Sequence, residues 1–231
     1  MPRGLFVTFE GVEGAGKSTQ IGLLAACLQE RGVAHLTTME PGGTPLGVLL
    51  RRQLLNDANI RPNQMAELFL FCADRAQHLA QVIIPALSHG RCVLCDRFTD
   101  STLAYQGYAR GIDVAMIKSL CAITAGEILP DATFLLDIPA AVGLERVGKR
   151  KHGACFAEQG GVTAASVSPV ATTPNFDGFE AEELSFHQRV REGFLRIAAE
   201  DPQRVIVIDG LLSTGEIAAR IKTVMMRILE R

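Results

Sequence analysis

The feature that most constrains this chain is Gly11-Val-Glu-Gly-Ala-Gly-Lys-Ser18, which fits G-x-x-x-x-G-K-[ST]. It lies between an apolar, β-branched run, Leu5–Phe9, and a stretch with helical spacing, Lys17–Arg31. A strand, a glycine loop and a helix in that order form a phosphate cradle. Gly11, Gly14 and Gly16 permit the tight turn, and the backbone N–H groups of Gly11, Val12, Glu13, Gly14, Ala15, Gly16, Lys17, Ser18 and Thr19 converge near the positive end of the helix. In this arrangement Lys17 reaches the β- and γ-phosphates and the Ser18 hydroxyl ligates Mg²⁺. The expected ligand is a nucleoside triphosphate.

The rest of the chain repeats the alternation. Strands are expected at Ala34–Met39, Cys92–Cys95, Thr133–Leu136 and Val205–Ile208. Helices are expected at Leu46–Leu55, Asn63–Ser88 (bent at Pro85), Val114–Gly126, Ala140–Lys151, Glu180–Glu200 and Thr214–Glu230. The order predicts a P-loop NTPase: a three-layer α/β/α fold with a five-stranded parallel sheet flanked by helices. Gly153–Gly178 carries no period and is read as part of a lid with an insertion, about 147–178.

Composition removes some alternatives. With 23 Lys+Arg against 25 Asp+Glu over 231 residues, no polyanion such as a nucleic acid is expected as partner. No apolar run approaches the roughly 18 residues of a membrane span, and no signal peptide is expected. Six cysteines, at 27, 72, 92, 95, 121 and 155, suit a reducing cytoplasm. Cys92-Val-Leu-Cys95 reads as a buried strand rather than a metal site, since no second pair accompanies it.

A second phosphate is signalled by Cys95-Asp96-Arg97-Phe98. An Asp closing a strand beside the cradle is placed to hold Mg²⁺ through water, and Asp96 is expected to do so, with Asp137 as competitor. Arg97 at the same sheet edge suits a bidentate grip on an acceptor's phosphate. A nucleoside kinase or a nucleotide-dependent switch needs no such grip.

Several segments together resemble the thymidylate kinase family in its bacterial form: Phe9–Thr19, Glu40-Pro-Gly-Gly-Thr44, Asp96-Arg-Phe98, Ser101–Gly111 and Phe186–Phe194. The resemblance implies a single nucleoside monophosphate kinase domain, 1–231. It would move the ATP γ-phosphoryl group to dTMP, giving dTDP and ADP on the way to dTTP, with Mg²⁺ and as a homodimer. Phe71 and Arg75 lie four apart on one helix face. The resemblance sets Phe71 against the thymine ring and Arg75 on a thymine carbonyl. It favours Arg51 over Arg52 as the partner of Arg97 on the dTMP phosphate, gives Glu40 a role in orienting its loop or a metal-bound water, and brings Ser101, Thr102, Tyr105 and Gln106 to the base and sugar. Glu13 marks the branch with an acidic residue in the phosphate loop and an arginine supplied by the lid. Glu13 is then expected near the dTMP sugar or acceptor phosphate, and Arg150, ahead of Arg146, is the expected lid arginine. Lys17, Arg97, Arg150 and Glu13 make up the expected catalytic set. Gly178 stands where the family commonly has a second lid arginine.

Overall fold

The computed structural model describes residues 3–53, 62–157, 179–180 and 182–230. Five strands form one parallel sheet: β1 (Phe6–Glu10), β2 (His35–Met39), β3 (Cys92–Asp96), β4 (Ala132–Asp137) and β5 (Val205–Asp209), in the order β2-β3-β1-β4-β5. Central β1 pairs in parallel with β3 and with β4, setting Phe9 beside Asp96 on one side and beside Phe134 on the other. The order reverses beside β1, which opens a crevice at the carboxyl ends of the strands. β1 is buried along its whole length, as a central strand covered on both faces requires. Successive side chains alternate between faces. Val7, Phe9, Leu94 and Phe134 pack in one core with Leu24, Leu28, Ile221 and Met225, whereas Phe6, Val93 and Cys95 meet Leu79, Ile83 and Leu87.

The helices are α1 (Lys17–Glu30), α2 (Pro45–Arg51), α3 (Gln64–His78), α4 (Ile84–Ser88), α5 (Thr99–Thr102), α6 (Val114–Ala125), α7 (Ala140–Ala157), α8 (Leu184–Glu200) and α9 (Thr214–Leu229). Their starts are written locally. Thr44 and Asn63 accept the Gly47 and Ala66 N–H groups at 3.0 and 2.9 Å, and Ser213 with Glu216 forms a capping box. α1 instead begins at Gly16, a left-handed residue (φ 99°) that leaves the first amides facing the loop.

Three elements depart from the sequence reading. The expected helix over 63–88 divides into α3, a wider π turn at Leu79–Ile83, and α4. Pro85 has no N–H and its ring crowds the carbonyl four residues earlier, so the widened turn accommodates it. α7 runs to Ala157, not Lys151: a lone Gly153 weakens a helix without ending it, and no proline lies in the element. Residues 99–109, given no element from the sequence, form α5 and a π-helical segment, Leu103–Ala109, packed on α8. Nearly every residue there is buried, which erases the one-sided apolar spacing that betrays a surface helix. The end of the expected helix 46–55, most of the insertion and the Gly178 position lie outside the described residues. No helix among the described residues is long and apolar enough to cross a membrane.

Candidate active site

The phosphate loop takes its shape from what packs beneath it. A Cβ on Gly14, at φ +72°, would lie 2.2 Å from the Gly143 carbonyl oxygen of α7. Only glycine therefore brings the loop so close to that helix. Val12 and Ala15 face the core, 3% and 1% exposed, so the loop offers a ligand mainly its backbone. Lys17 curls over this backbone, donating to the Gly11 and Val12 carbonyls at 3.1 Å each. Burial lowers its pKa to about 8 with help from Arg97, against the attraction of Asp96, Glu13 and Glu10. Ser18 Oγ donates to Asp96 Oδ2 at 3.0 Å, so hydroxyl and carboxylate meet beside the loop. Asp137, the competitor, is instead held bidentately by Arg191 at 2.7 and 2.8 Å.

Two clefts meet above the sheet edge. The first, open and about 980 Å³, is lined by Gly14, Gly16, Lys17, Ser18, Thr19, Asp96 and Arg150. The second, about 510 Å³, is lined by Phe71, Arg75, Phe98, Ser101, Thr102, Tyr105, Gln106 and Phe179. Glu13, Glu40, Arg51 and Arg97 line both.

Arg97 stands at the centre of that shared wall. It is the one non-glycine residue among those described with positive φ, 73°. Such strain persists where surroundings over-determine it. Here the Arg97 N–H bonds Phe9 carbonyl at 3.0 Å, and the next amide, of Phe98, donates to buried Glu10 at 2.7 Å. Glu10 also accepts the Ser101 hydroxyl at 2.6 Å. Burial and the neighbouring Asp100 raise Glu10 to about 7, despite Arg97 and these hydrogen bonds. The Arg97 guanidinium donates to Gly11 carbonyl, Ser101 Oγ and Glu13 Oε1 at 3.2, 3.1 and 3.2 Å, and lies 4.9 Å from the Tyr105 ring centroid. Burial disfavours its charge, but Tyr105, Glu13, Glu10 and Asp96 outweigh this and raise its pKa.

Glu13 accepts from Arg97 and the Tyr105 hydroxyl on Oε1, and from His187 Nδ1 on Oε2 at 3.1 Å. Burial pushes its pKa up, yet the His187 bond, Arg97, Lys17 and Tyr105 together hold it near 2. Arg75 is similarly fixed. Its Nε donates to Glu40 Oε2 at 2.9 Å and its Nη2 to Thr102 Oγ1 at 2.8 Å, and it is 2% exposed. The other Glu40 oxygen pairs with His78 Nδ1 at 3.0 Å. Glu40 therefore meets the cleft chiefly by orienting Arg75. The Glu40–Pro41 peptide is cis, and a Cβ on Gly43 would lie 2.3 Å from His78 Nε2, which accounts for the small residues in this loop.

Phe71 of α3 stacks on Phe179, centroids 6.1 Å apart. Gln106 Nε2 donates to Glu67 Oε1 at 2.8 Å. Arg51 donates to Pro41 carbonyl at 3.0 Å, while Arg52 lines neither cleft. Arg150 is exposed at the first cleft, but Arg146 is turned to Gly210 carbonyl at 3.2 Å and Lys149 to Glu145 at 2.6 Å. Cys92 and Cys95 are buried thiols, and no metal-ligand cluster of three His, Cys, Asp or Glu occurs among the described residues.

The sequence reading missed Glu10, His78, His187 and Phe179. Glu10 and His187 both lie inside segments that carried the resemblance, but nothing local marked their partners.

A sequence profile of the family described as thymidylate kinase matches residues 9–160. The chain belongs to the thymidylate kinase family. The thymidylate kinase of Trichlorobacter lovleyi is 45% identical over 222 residues, covering 96% of this chain and 97% of its own. That of Solidesulfovibrio magneticus is 46% identical, covering 97% of this chain and all of its own length. Among solved structures, the crystal structure of thymidylate kinase from Ehrlichia chaffeensis superposes with a TM-score of 0.70 at 31% identity, covering 97% of this chain and 99% of that one. The enzyme thus carries the P-loop NTPase fold of its family in a five-stranded parallel sheet.

Proposed function

We propose that the first cleft holds ATP, the second holds dTMP, and the transferring phosphoryl group crosses at the wall they share. As a thymidylate kinase, the enzyme moves the γ-phosphoryl group of ATP to dTMP, giving dTDP and ADP. The observation carrying the assignment of clefts is that Arg51 and Arg97 line both. Two guanidinium groups there neutralise charge on the acceptor phosphate and hold its oxygen in line with the γ-phosphorus. No general base is needed, because a phosphate monoester is already nucleophilic at neutral pH. Phe71 supports the thymine ring, Arg75 and Thr102 meet its polar edge, and Tyr105 with Glu13 lies toward the sugar.

Ser18 and Asp96, hydrogen-bonded to each other beside Lys17, are the donor set a Mg²⁺ ion needs here, and they would hold it directly and through water. Held there, Mg²⁺ would supply neutralisation of the phosphate charge. Arg150 supplies the lid cation. Support for it over Arg146 comes from its exposure at the first cleft, whereas Arg146 is engaged by Gly210. A homodimer is supported by packed helices α3 and α6, where Phe69 and Ile123 remain 53% and 78% exposed. The described cysteines are thiols, in keeping with a reducing cytoplasm. The chain is read as one kinase domain over 1–231.

Coupled ADP release with a panel of acceptors tests this reading. Turnover with ATP is expected to rise on adding dTMP and not on adding thymidine. Arg150→Ala is expected to lower that rate about a hundredfold and Arg146→Ala less than about threefold. ADP release indifferent to dTMP contradicts the assignment.

A further inference from the structure

His187 stands on the first turn of α8, is 1% exposed, and reaches back 174 residues to the phosphate loop. Its Nδ1 lies 3.1 Å from Glu13 Oε2. An ionised carboxylate only accepts, so Nδ1 carries the proton and donates. Among the described residues the other ring nitrogen, Nε2, is buried without a hydrogen-bond partner. A histidine kept only to fill this space leaves a buried polar nitrogen unsatisfied where an apolar residue leaves none. Among the described residues the ring's one polar tie is therefore to Glu13.

That tie decides how the carboxylate is turned. Glu13 Oε1 receives Arg97 and Tyr105 from the wall between the clefts, and Oε2 receives His187 from α8. With both oxygens engaged, rotation of the carboxylate is restrained, and Arg97 is restrained with it. We propose that His187 is a positioning residue for phosphoryl transfer: by donating from Nδ1 to Glu13 Oε2 it holds Glu13, and through Glu13 the Arg97 guanidinium, in the orientation that the acceptor nucleotide meets. The inference rests on the assignment of the second cleft to dTMP.

The test uses three substitutions, each alone and His187→Leu also in a Glu13→Ala background. An asparagine amide nitrogen falls near the Nδ1 position, and a glutamine amide nitrogen falls near Nε2. H187L is expected to lower kcat/KM for dTMP at least about tenfold while KM for ATP stays within about twofold. H187N is expected to recover to within about threefold of wild type, and H187Q is not. With Glu13 removed, H187L is expected to cost less than about twofold further, the non-additivity of two groups acting as one. Calorimetric titration of dTMP without ATP is expected to rank the variants in the same order. Wild-type kcat/KM in H187L, equal losses in H187N and H187Q, or a full tenfold loss persisting without Glu13 each overturns the proposal. If H187L does not fold, the asparagine and glutamine pair decides by itself. Absence of dTMP turnover in the wild type would sink the cleft assignment, whereas wild-type turnover with unmoved His187 variants sinks this inference alone.

Discussion

Around Gly14–Ser18, the cleft wall offers backbone amides, a serine hydroxyl and the exposed Arg150, with Lys17 resting only on loop carbonyls. Across the shared wall the cations are already committed, Arg75 to Glu40 and Arg97 to Glu13, and each carboxylate is braced from behind by a histidine. The donor side therefore gains its affinity for phosphate from backbone shape and a helix end. The acceptor side gains selectivity from side chains locked before the ligand arrives, which lowers the ordering cost of binding. Damage to the first is expected to cost turnover with the fold untouched. Damage to the second is expected to cost both.

The largest effect is expected at the residue belonging to both sides. Arg97→Ala removes the acceptor-phosphate cation and leaves Glu13 without its strongest positive neighbour on that wall; kcat/KM for dTMP is expected to fall about a thousandfold in the coupled assay. A loss under tenfold would break the division of labour drawn above. Next comes Arg75→Met. It strands the Glu40 carboxylate, 4% exposed, and removal of one partner of a buried pair costs about 3 kcal/mol. Urea denaturation is expected to show that loss together with a raised KM for dTMP, and an unchanged midpoint would show that the pair is not a prop.

An effect no larger than that of Arg75, and confined to a pH window, concerns Glu10, which braces the Arg97 turn. Its folded pKa, about 7, lies above the ordinary carboxyl value, so the folded protein keeps a proton that the unfolded chain gives up. Its contribution to stability is full below pH ~4.5 and is lost as pH rises to about 7. Glu13 works in the opposite sense, its contribution present above pH ~4.5 and lost as pH falls toward 2. Glu10→Gln is accordingly expected to flatten the pH dependence of the unfolding free energy from urea denaturation between pH 4.5 and 7.5 by up to about 3 kcal/mol, leaving the acid limb near pH 3 unchanged. Parallel profiles for the two proteins would remove Glu10 from this account.

What the sequence disclosed follows the same divide. The phosphate loop was legible because its physics is local: strand, glycines, lysine and helix are contiguous, and the amides point where the loop conformation sends them. The parallel strands were legible too, the inner three because apolar runs such as Cys92–Cys95 have no exposed face to blur them. The acceptor cleft was legible only as a set of residue types. That Glu40 serves Arg75, that Glu10 props the turn at Arg97, and that His187 braces Glu13 are contacts between residues 35, 88 and 174 positions apart. No spacing rule along the chain reports such pairs. The segment 99–109 escaped for a different reason: a helix buried on all sides has no amphipathic signature.

The separation of the two clefts is tested most directly by calorimetry on one substitution from each. Lys17→Ala is expected to weaken ATP binding severalfold or more and to leave dTMP binding within about twofold of wild type; Phe71→Ala is expected to do the reverse. Loss of both ligands in either protein, or of dTMP in the lysine variant alone, would contradict the assignment of donor and acceptor to separate clefts.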